Sequence, residues 1–301
     1  MVDENILITG GNGFLGSYLI PMLRSAGKNV KVLGRSGDSS ENSFIWNIDK
    51  NTFDVSALAG INTIIHLAGA GIANKRWTSS YKKEIVDSRI KSASLLFETL
   101  KSNSNSVDTF ISASAVGYYG DTGDVWAEED FHATDNFLGE TCIKWEEAAK
   151  QFESLGIRVV IFRIGLILAK DGGALPILAL PVKIFVGSPL GNGKQYISWI
   201  HVDDLCRMFS FAIENKSVHG TFNAVAPAPV TNYEFMNLVG KSINRFIWPL
   251  KVPSFIIKII LGEKASLLLD SHRVSSEKIR MTGFNFKHID LQKNLLELLK
   301  K

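Results

Sequence analysis

Thr9-Gly10-Gly11-Asn12-Gly13-Phe14-Leu15-Gly16 is the stretch that decides the fold. It follows a short apolar run, Asn5-Ile6-Leu7-Ile8-Thr9, and opens a helical pattern that continues through Phe14 to Ala26. Gly10, Gly13 and Gly16 fall three residues apart. In a strand–turn–helix unit the first glycine permits the tight turn and the second lets a pyrophosphate approach the backbone. The third lets helix and strand pack closely. The start of the helix then offers unpaired N–H groups and the positive end of its dipole. A glycine triplet alone is a weak signal, but its position between strand and helix makes it a dinucleotide-binding fingerprint. Gly10, Gly11, Asn12, Gly13, Phe14, Leu15 and Gly16 are therefore candidate cofactor contacts.

Outward from the loop, strand and helix patterns alternate. Val30 to Leu33, Thr63 to Leu67, Thr109 to Ser112 and Val159 to Phe162 read as strands. Helical patterns cover roughly Tyr81 to Ser102 and Thr141 to Ser154. This spacing requires crossover units and a parallel sheet covered on both faces. After Gly165 the alternation is lost, glycines and prolines cluster from Gly172 to Gly193, and the last third is mainly helical. The expected class is α/β, a doubly wound Rossmann-like parallel sheet with a smaller, mainly helical C-terminal lobe. The expected division is a dinucleotide-binding part over 1–165, rejoined by segments at about 195–225, and a substrate-side lobe over 166–301. Substrate would lie in the cleft between the lobes, over the carboxyl ends of the strands.

Composition removes several other classes. The 301 residues carry 33 basic and 30 acidic side chains, a formal charge of +3 that gives no argument for a nucleic-acid partner. The two cysteines, Cys142 and Cys206, form no disulfide framework or metal spacing, and a reducing cytoplasm is the expected location. The six histidines show no metal-binding spacing, so no metal site is expected. No secretory leader is read at Met1 to Asn5. The apolar stretches Arg158 to Ala169 and Ala174 to Val186 are broken by Arg163, Lys183 or prolines, and no membrane association is expected. Ile256 to Leu261, interrupted by Lys258, is read as a helix buried between the lobes. Oligomeric state is not legible.

The end of the second strand selects the cofactor. An NAD site usually has an acid about 20 residues beyond the glycines to hold the ribose hydroxyls. Here the sequence is Leu33-Gly34-Arg35-Ser36. Arginine pairs with a 2′-phosphate in a bidentate fork and Ser36 adds a hydroxyl, so NADP(H) is the expected cofactor.

With these residues in place, the chain resembles the extended short-chain dehydrogenase/reductase superfamily of the nucleotide-sugar epimerase type. Within it, it is most similar to the atypical epimerase-like group with its own C-terminal domain. The resemblance runs along nearly the whole chain. It is carried by Thr9 to Gly16, His66 to Gly71, Lys83-Glu84-Ile85 with Ser88-Arg89, Ser112 to Gly120, and Lys144 to Ala149. Arg163-Ile164-Gly165, Asp171 to Leu175, Gly191 to Gln195, Ser198 to Leu205 and Asn223 to Pro227 extend it. It implies a nicotinamide cofactor laid across the strand ends, with Leu67, Ala68 and Gly69 along its ribose and nicotinamide, and Glu84 and Arg89 at its border.

The resemblance also implies a Ser, a Tyr and a Lys four residues after the Tyr, a general acid–base set tuned by a neighbouring cation. Ser114 matches the serine. Registering the helix on Trp145-Glu146 puts Leu138 and Cys142 at the other two positions, and shifting by two gives Glu140 and Lys144. No Tyr-x-x-x-Lys results in either register. Tyr118 or Tyr119 is the remaining phenol, and Lys144 the remaining cation. Two functions stay open: an NADP(H)-dependent, epimerase-like oxidoreductase using Ser114, Tyr118 and Lys144, or a redox-responsive protein that binds NADP(H) without turnover. Arg163 could meet a phosphate or form an ion pair, and His201 is read as packing at the foot of a helix capped by Asp203.

Overall fold

The computed structural model describes residues 4–36 and 42–300. In chain order the strands are β1 (Asn5–Thr9), β2 (Asn29–Gly34), β3 (Ser43–Asn47), β4 (Thr52–Phe53), β5 (Thr63–His66), β6 (Thr109–Ala115) and β7 (Arg158–Ile164). They continue with β8 (Leu166–Ala169), β9 (Gly172–Gly173), β10 (Tyr196–Ile197), β11 (Trp199–His201), β12 (Gly220–Ala224) and β13 (Val230–Thr231). The α-helices are α1 (Phe14–Ser25), α2 (Ser79–Ser102), α3 (Phe137–Lys150), α4 (Leu175–Lys183), α5 (Val202–Glu214), α6 (Asn232–Ser242), α7 (Ser254–Leu261), α8 (Ser266–Leu269), α9 (Glu277–Met281) and α10 (Leu291–Leu299).

Eight strands form one sheet in the order β12-β7-β6-β5-β1-β2-β3-β4. All neighbours are parallel except β3 and β4. The order reverses between β1 and β5, which opens a crevice beyond their carboxyl ends. Successive residues of β1 serve opposite faces, as a pleated strand requires. Ile6 and Ile8 join Leu19 and Leu23 of α1 and Leu205 and Phe209 of α5. Leu7 joins Leu96 and Leu100 of α2 and Ala149 of α3 on the other side. Burial on both faces explains why these strands read as unbroken apolar runs. The architecture is the doubly wound, Rossmann-like α/β fold expected from the alternation. The segments beyond Gly165 are mainly helical, with a third core that joins Leu175 of α4, Phe235 of α6, Leu295 of α10 and Trp199.

Some local expectations change. Strand β12 lies at the sheet edge beside β7, although its sequence Gly-Thr-Phe-Asn-Ala has little apolar pattern of its own. Helix α7 is not buried between lobes: only Ile257 is covered, while Phe255 is 62% exposed and Ile259 74% exposed. At α5 the cap is His201 rather than Asp203, its Nδ1 accepting the Asp203 amide at 3.1 Å. Among the described residues, no helix is long and apolar enough to cross a membrane.

His66 at the end of β5 is fully buried, with Nδ1 2.8 Å from Thr9 Oγ1 and Nε2 3.1 Å from Ser92 Oγ. Burial pushes its pKa down to about 4, because the imidazolium would lose its hydration. The unfolded chain therefore binds the extra proton between its ordinary pKa and about 4. Stability is complete above that window and falls as pH drops through it, by up to about 3 kcal/mol from this group. Denaturant unfolding at pH 7 and pH 4.5 should show this loss in the wild type, and a smaller loss in His66→Gln.

Candidate active site

The glycine loop is closed by backbone. Gly10 has φ +69°, and a Cβ on it would stand 2.7 Å from the Leu67 carbonyl carbon. A Cβ on Gly16 would lie 2.1 Å from the Gly11 carbonyl oxygen. These contacts hold the loop against the end of β5 and bring α1 down onto it. Gly13 is the N-cap of α1, with no side-chain cap and no acid in the first turn. By contrast, Asn136, His201 and Thr231 cap α3, α5 and α6 with their side chains. The first turn of α1, with Phe14 and Leu15, thus leaves its amides and dipole uncompensated by protein, which suits a pyrophosphate. Asn12 is exposed beside the end of β2, its Nδ2 3.8 Å from the Cβ position of Gly34. Arg35 and Ser36 follow that strand directly and are exposed.

Leu67, Ala68 and Gly69 continue β5 across the same edge, and Arg89 of α2 lies beneath them. A Cβ on Gly69 would stand 3.1 Å from Arg89 Cζ. The guanidinium packs 4.6 Å from the Trp145 ring centroid, and Nη1 donates to the Ile85 and Ala70 carbonyls at 2.8 and 3.2 Å. Burial lowers its pKa, opposed by its electrostatic coupling to Cys142 and Tyr81. Glu84 does not join this group: it is exposed and 3.5 Å from Lys75.

Ser114, at the end of β6, is 3% exposed, and its hydroxyl donates to Glu146 Oε1 at 2.8 Å. The same carboxylate receives Arg163 Nε at 2.8 Å and Nη2 at 2.9 Å, a bidentate pair with both partners buried. Arg163 Nη1 donates to the Tyr119 hydroxyl and to the Glu129 carbonyl, each at 2.9 Å. Tyr119 in turn donates to Asn223 Oδ1 at 2.6 Å. Tyr118 covers the group, its ring centroid 3.4 Å from Arg163 Cζ. Burial alone would lower the Arg163 pKa, but Glu146 holds it above its ordinary value. Burial pushes the Tyr119 phenol up to about 12 and the Cys142 thiol up to about 11. Arg163 therefore forms an ion pair rather than an open phosphate contact.

Lys144 stands apart. It is exposed, and two residues from both Cys142 and Glu146 on α3 it projects from the opposite side of the helix. In the sequence Glu146 and Asn223 stand only among the marks of the resemblance, with no role at the site, and Glu129 is not among them. Glu146 had a signal: it shares the helix side of Leu138, Cys142, Trp145 and Ala149, an otherwise apolar stripe that would bury a carboxylate.

Beyond the strand ends lies a cavity of about 660 Å3 between the loop after Tyr119, the start of α3 and segments of the C-terminal region. Asp121, Asn136, Gln195, Lys258 and Asp270 line it. Burial, reinforced by the charge of Asp121, raises the Asp270 carboxyl to about 6. A bond from Lys264 Nζ to the Ala73 carbonyl at 2.8 Å and an ion pair between Lys82 and Glu263 tie this side to the loop after β5 and to α2.

A doubly wound sheet with an uncapped, glycine-closed first crossover defines a Rossmann-type nucleotide-binding fold of the short-chain dehydrogenase/reductase superfamily. The chain belongs to the NAD dependent epimerase/dehydratase family, whose model matches residues 6–224, and a domain of unknown function matches residues 252–298. An epimerase family protein of Staphylococcus aureus (strain MRSA252) is 38% identical over 99% of this chain and 100% of its own length. Among solved structures, the human epimerase family protein SDR39U1 (isoform 2) with NADPH superposes with a TM-score of 0.87 at 28% identity, covering 98% of each chain. A nucleoside-diphosphate sugar epimerase from Corynebacterium glutamicum gives a TM-score of 0.80 at 29% identity, over 99% of this chain and 58% of that one.

Removing one partner of the buried pair should be costly, because it strands the other charge. Arg163→Met is expected to lose about 3–5 kcal/mol in denaturant unfolding. Adding Glu146→Gln should recover part of that loss; full additivity of the two losses would show that the groups are not coupled.

Proposed function

We propose that this chain binds NADP(H) and exchanges a hydride with a small-molecule substrate, as an epimerase-like oxidoreductase. The observation that carries the reading is the uncapped first turn of α1, set against Leu67 by glycines that admit no Cβ. In this reading Gly10 to Gly16 hold the pyrophosphate, and Arg35 and Ser36 hold the 2′-phosphate. Leu67, Ala68 and Gly69 line the ribose and nicotinamide. The preference for the phosphorylated form is supported by the NADPH bound to the human relative. Residues 1–165, with the return near 195–225, form the cofactor part, and the remainder of 166–301 forms the substrate side. The buried free cysteines suit a reducing cytoplasm.

When bound, the nicotinamide supplies a hydride donor or acceptor. This chain's residues must orient the substrate and move its proton. Arg89 is the buried cation beside Gly69 and Cys142, and it serves where the superfamily's lysine is missing. Glu84 belongs to the outer border only, and Lys144 has no part. Ser114 can hydrogen-bond a substrate oxygen by turning its hydroxyl from Glu146, whose carboxylate keeps both Arg163 bonds. In this reading Tyr118, whose ring lies over Arg163, is the phenol that handles the proton. Asp270, raised to about 6 on the cavity wall, is a second group able to give and take protons near neutrality.

A second reading is binding without turnover. The Ser114 proton already committed to Glu146, together with the missing Tyr-x-x-x-Lys, favours it.

Calorimetric titration with NADPH and NADH tests the cofactor. NADPH is expected to bind at least about tenfold tighter, roughly 1.4 kcal/mol, and Arg35→Ala should abolish the difference. If neither nucleotide binds, both readings fall. NADPH consumption is then measured against carbonyl compounds and nucleotide sugars. Turnover that Ser114→Ala removes supports the enzyme; NADPH binding with no turnover on the whole panel supports the binding protein.

A further inference from the structure

Two stretches of the chain, 172–202 and 235–262, contain no aspartate or glutamate. Between them they carry Lys183, Lys194, Lys241, Arg245, Lys251 and Lys258, all exposed. The same stretches hold a concentration of exposed large apolar side chains. Ile177 and Leu180 project from α4, Phe185 and Trp248 from the loops that follow α4 and α6, and Phe255 and Ile259 from α7. Scattered exposed apolar residues need no explanation, but a contiguous set marks an interaction surface.

The set is contiguous between its two loops. The Trp248 amide donates to the Gly187 carbonyl at 2.9 Å, and its indole Nε1 donates to the Phe185 carbonyl at 2.8 Å. Leu190 and Val252 form a parallel bridge further along. The two segments thus run side by side, with α4 leading in and α7 leading out. Arg245 lies 4.3 Å from the Phe185 ring centroid, which interleaves cation and aromatic ring at the surface. Phe185 itself sits at φ +66°, a left-handed conformation unfavourable for a side chain with a Cβ, and the residue is 60% exposed. The local backbone strain is spent on a ring that buries little of itself in the protein.

Charge decides what fits this face. A two-fold pairing with a second copy sets identical patches against each other. Lys183, Arg245 and Lys251 would then meet their own kind with no carboxylate from either acid-free stretch to neutralise them. A partner for the face must be anionic and must also accept aromatic and aliphatic tips without a matching groove. A lipid surface does both, since headgroups neutralise the cations and the acyl boundary takes the rings and branched chains. We propose that this face docks on an anionic lipid bilayer, with α7 lying in the interface. This reverses the sequence expectation of no membrane association, and it requires no spanning helix. Ser254 and Lys258 of α7 also line the 660 Å3 cavity, so the same helix joins the cavity wall to the lipid-facing surface.

The test is co-sedimentation with vesicles of phosphatidylcholine alone and of phosphatidylcholine mixed with phosphatidylglycerol, at low and high salt. The full chain should partition onto the mixed vesicles roughly tenfold more strongly than onto phosphatidylcholine, and added salt should weaken that binding. Phe255→Ser with Ile259→Ser should lower the partition by roughly tenfold, with thermal unfolding unchanged because both side chains are exposed. Lys183→Glu with Lys251→Glu should remove the preference for the mixed vesicles. The proposal is overturned if the wild type stays in the supernatant with both vesicles, or if it binds them equally. It is also overturned if light scattering finds a dimer that Phe255→Ser with Ile259→Ser splits and no vesicle binding accompanies it; the face is then an interface between copies. None of these readouts depends on cofactor binding.

Discussion

The buried pair between Arg163 and Glu146 is the constraint on which the strand ends depend. It connects β7 to α3 directly, β6 through Ser114, the following loop through Tyr119, and β12 through Asn223. Buried ion pairs are poor sources of net stability, because desolvation cancels much of the attraction. Their geometry is nevertheless exacting. A guanidinium that engages both carboxylate oxygens and two further acceptors has one workable arrangement, and the pieces of chain supplying those partners are fixed with it. The apolar core must stop where the sheet meets the cleft, and this polar group is how it stops without orphaned charge.

That arrangement also limits the chemistry available beside it. Cys142 and Tyr119 both lie where a reactive group could have stood, and burial holds both in their protonated forms. The permanent cations, Arg89 and Arg163, orient neighbours but cannot exchange protons near neutrality. Farther out, on the cavity wall, burial and the charge of Asp121 bring the Asp270 carboxyl up to about 6. Cys142 on α3 is buried and protonated, and the Arg89 guanidinium of α2 packs on Trp145 of the same helix.

The sequence was legible where structure is local. The glycine loop and the apolar runs of β1, β5, β6 and β7 each carry their own signal, because a strand buried on both faces needs no context to look buried. β12 carried little, since its place is set by pairing with residues some 60 positions earlier. Glu146 was hidden by residue type: a carboxylate is read as solvated unless the apolar stripe around it is noticed. Lys144, two residues away, lies on the exposed side of the same helix. The α7 segment misled in the opposite direction. Apolarity measures the cost of leaving a side chain in water but does not say what will cover it, and burial in the chain's own core is only the commonest outcome.

The two matched regions divide the physical work unevenly. Residues 6–224 contain the whole parallel sheet, the glycine loop and the buried pair, so the part shared with the wider family is the part that would handle cofactor. Residues 252–298 supply α7, Lys258 and Asp270, which form cavity wall rather than sheet. The segment is anchored by backbone as well as side chains: the Ala127 amide donates to the Arg273 carbonyl and the Ser275 amide to the Ala127 carbonyl, and Ile279 and Phe284 enter the core shared by β1 and α5. Helix α7 is buried only at Ile257, with Ser254 and Lys258 on the cavity wall and Phe255 and Ile259 exposed to solvent, so one short element carries both the cavity wall and the outer apolar face.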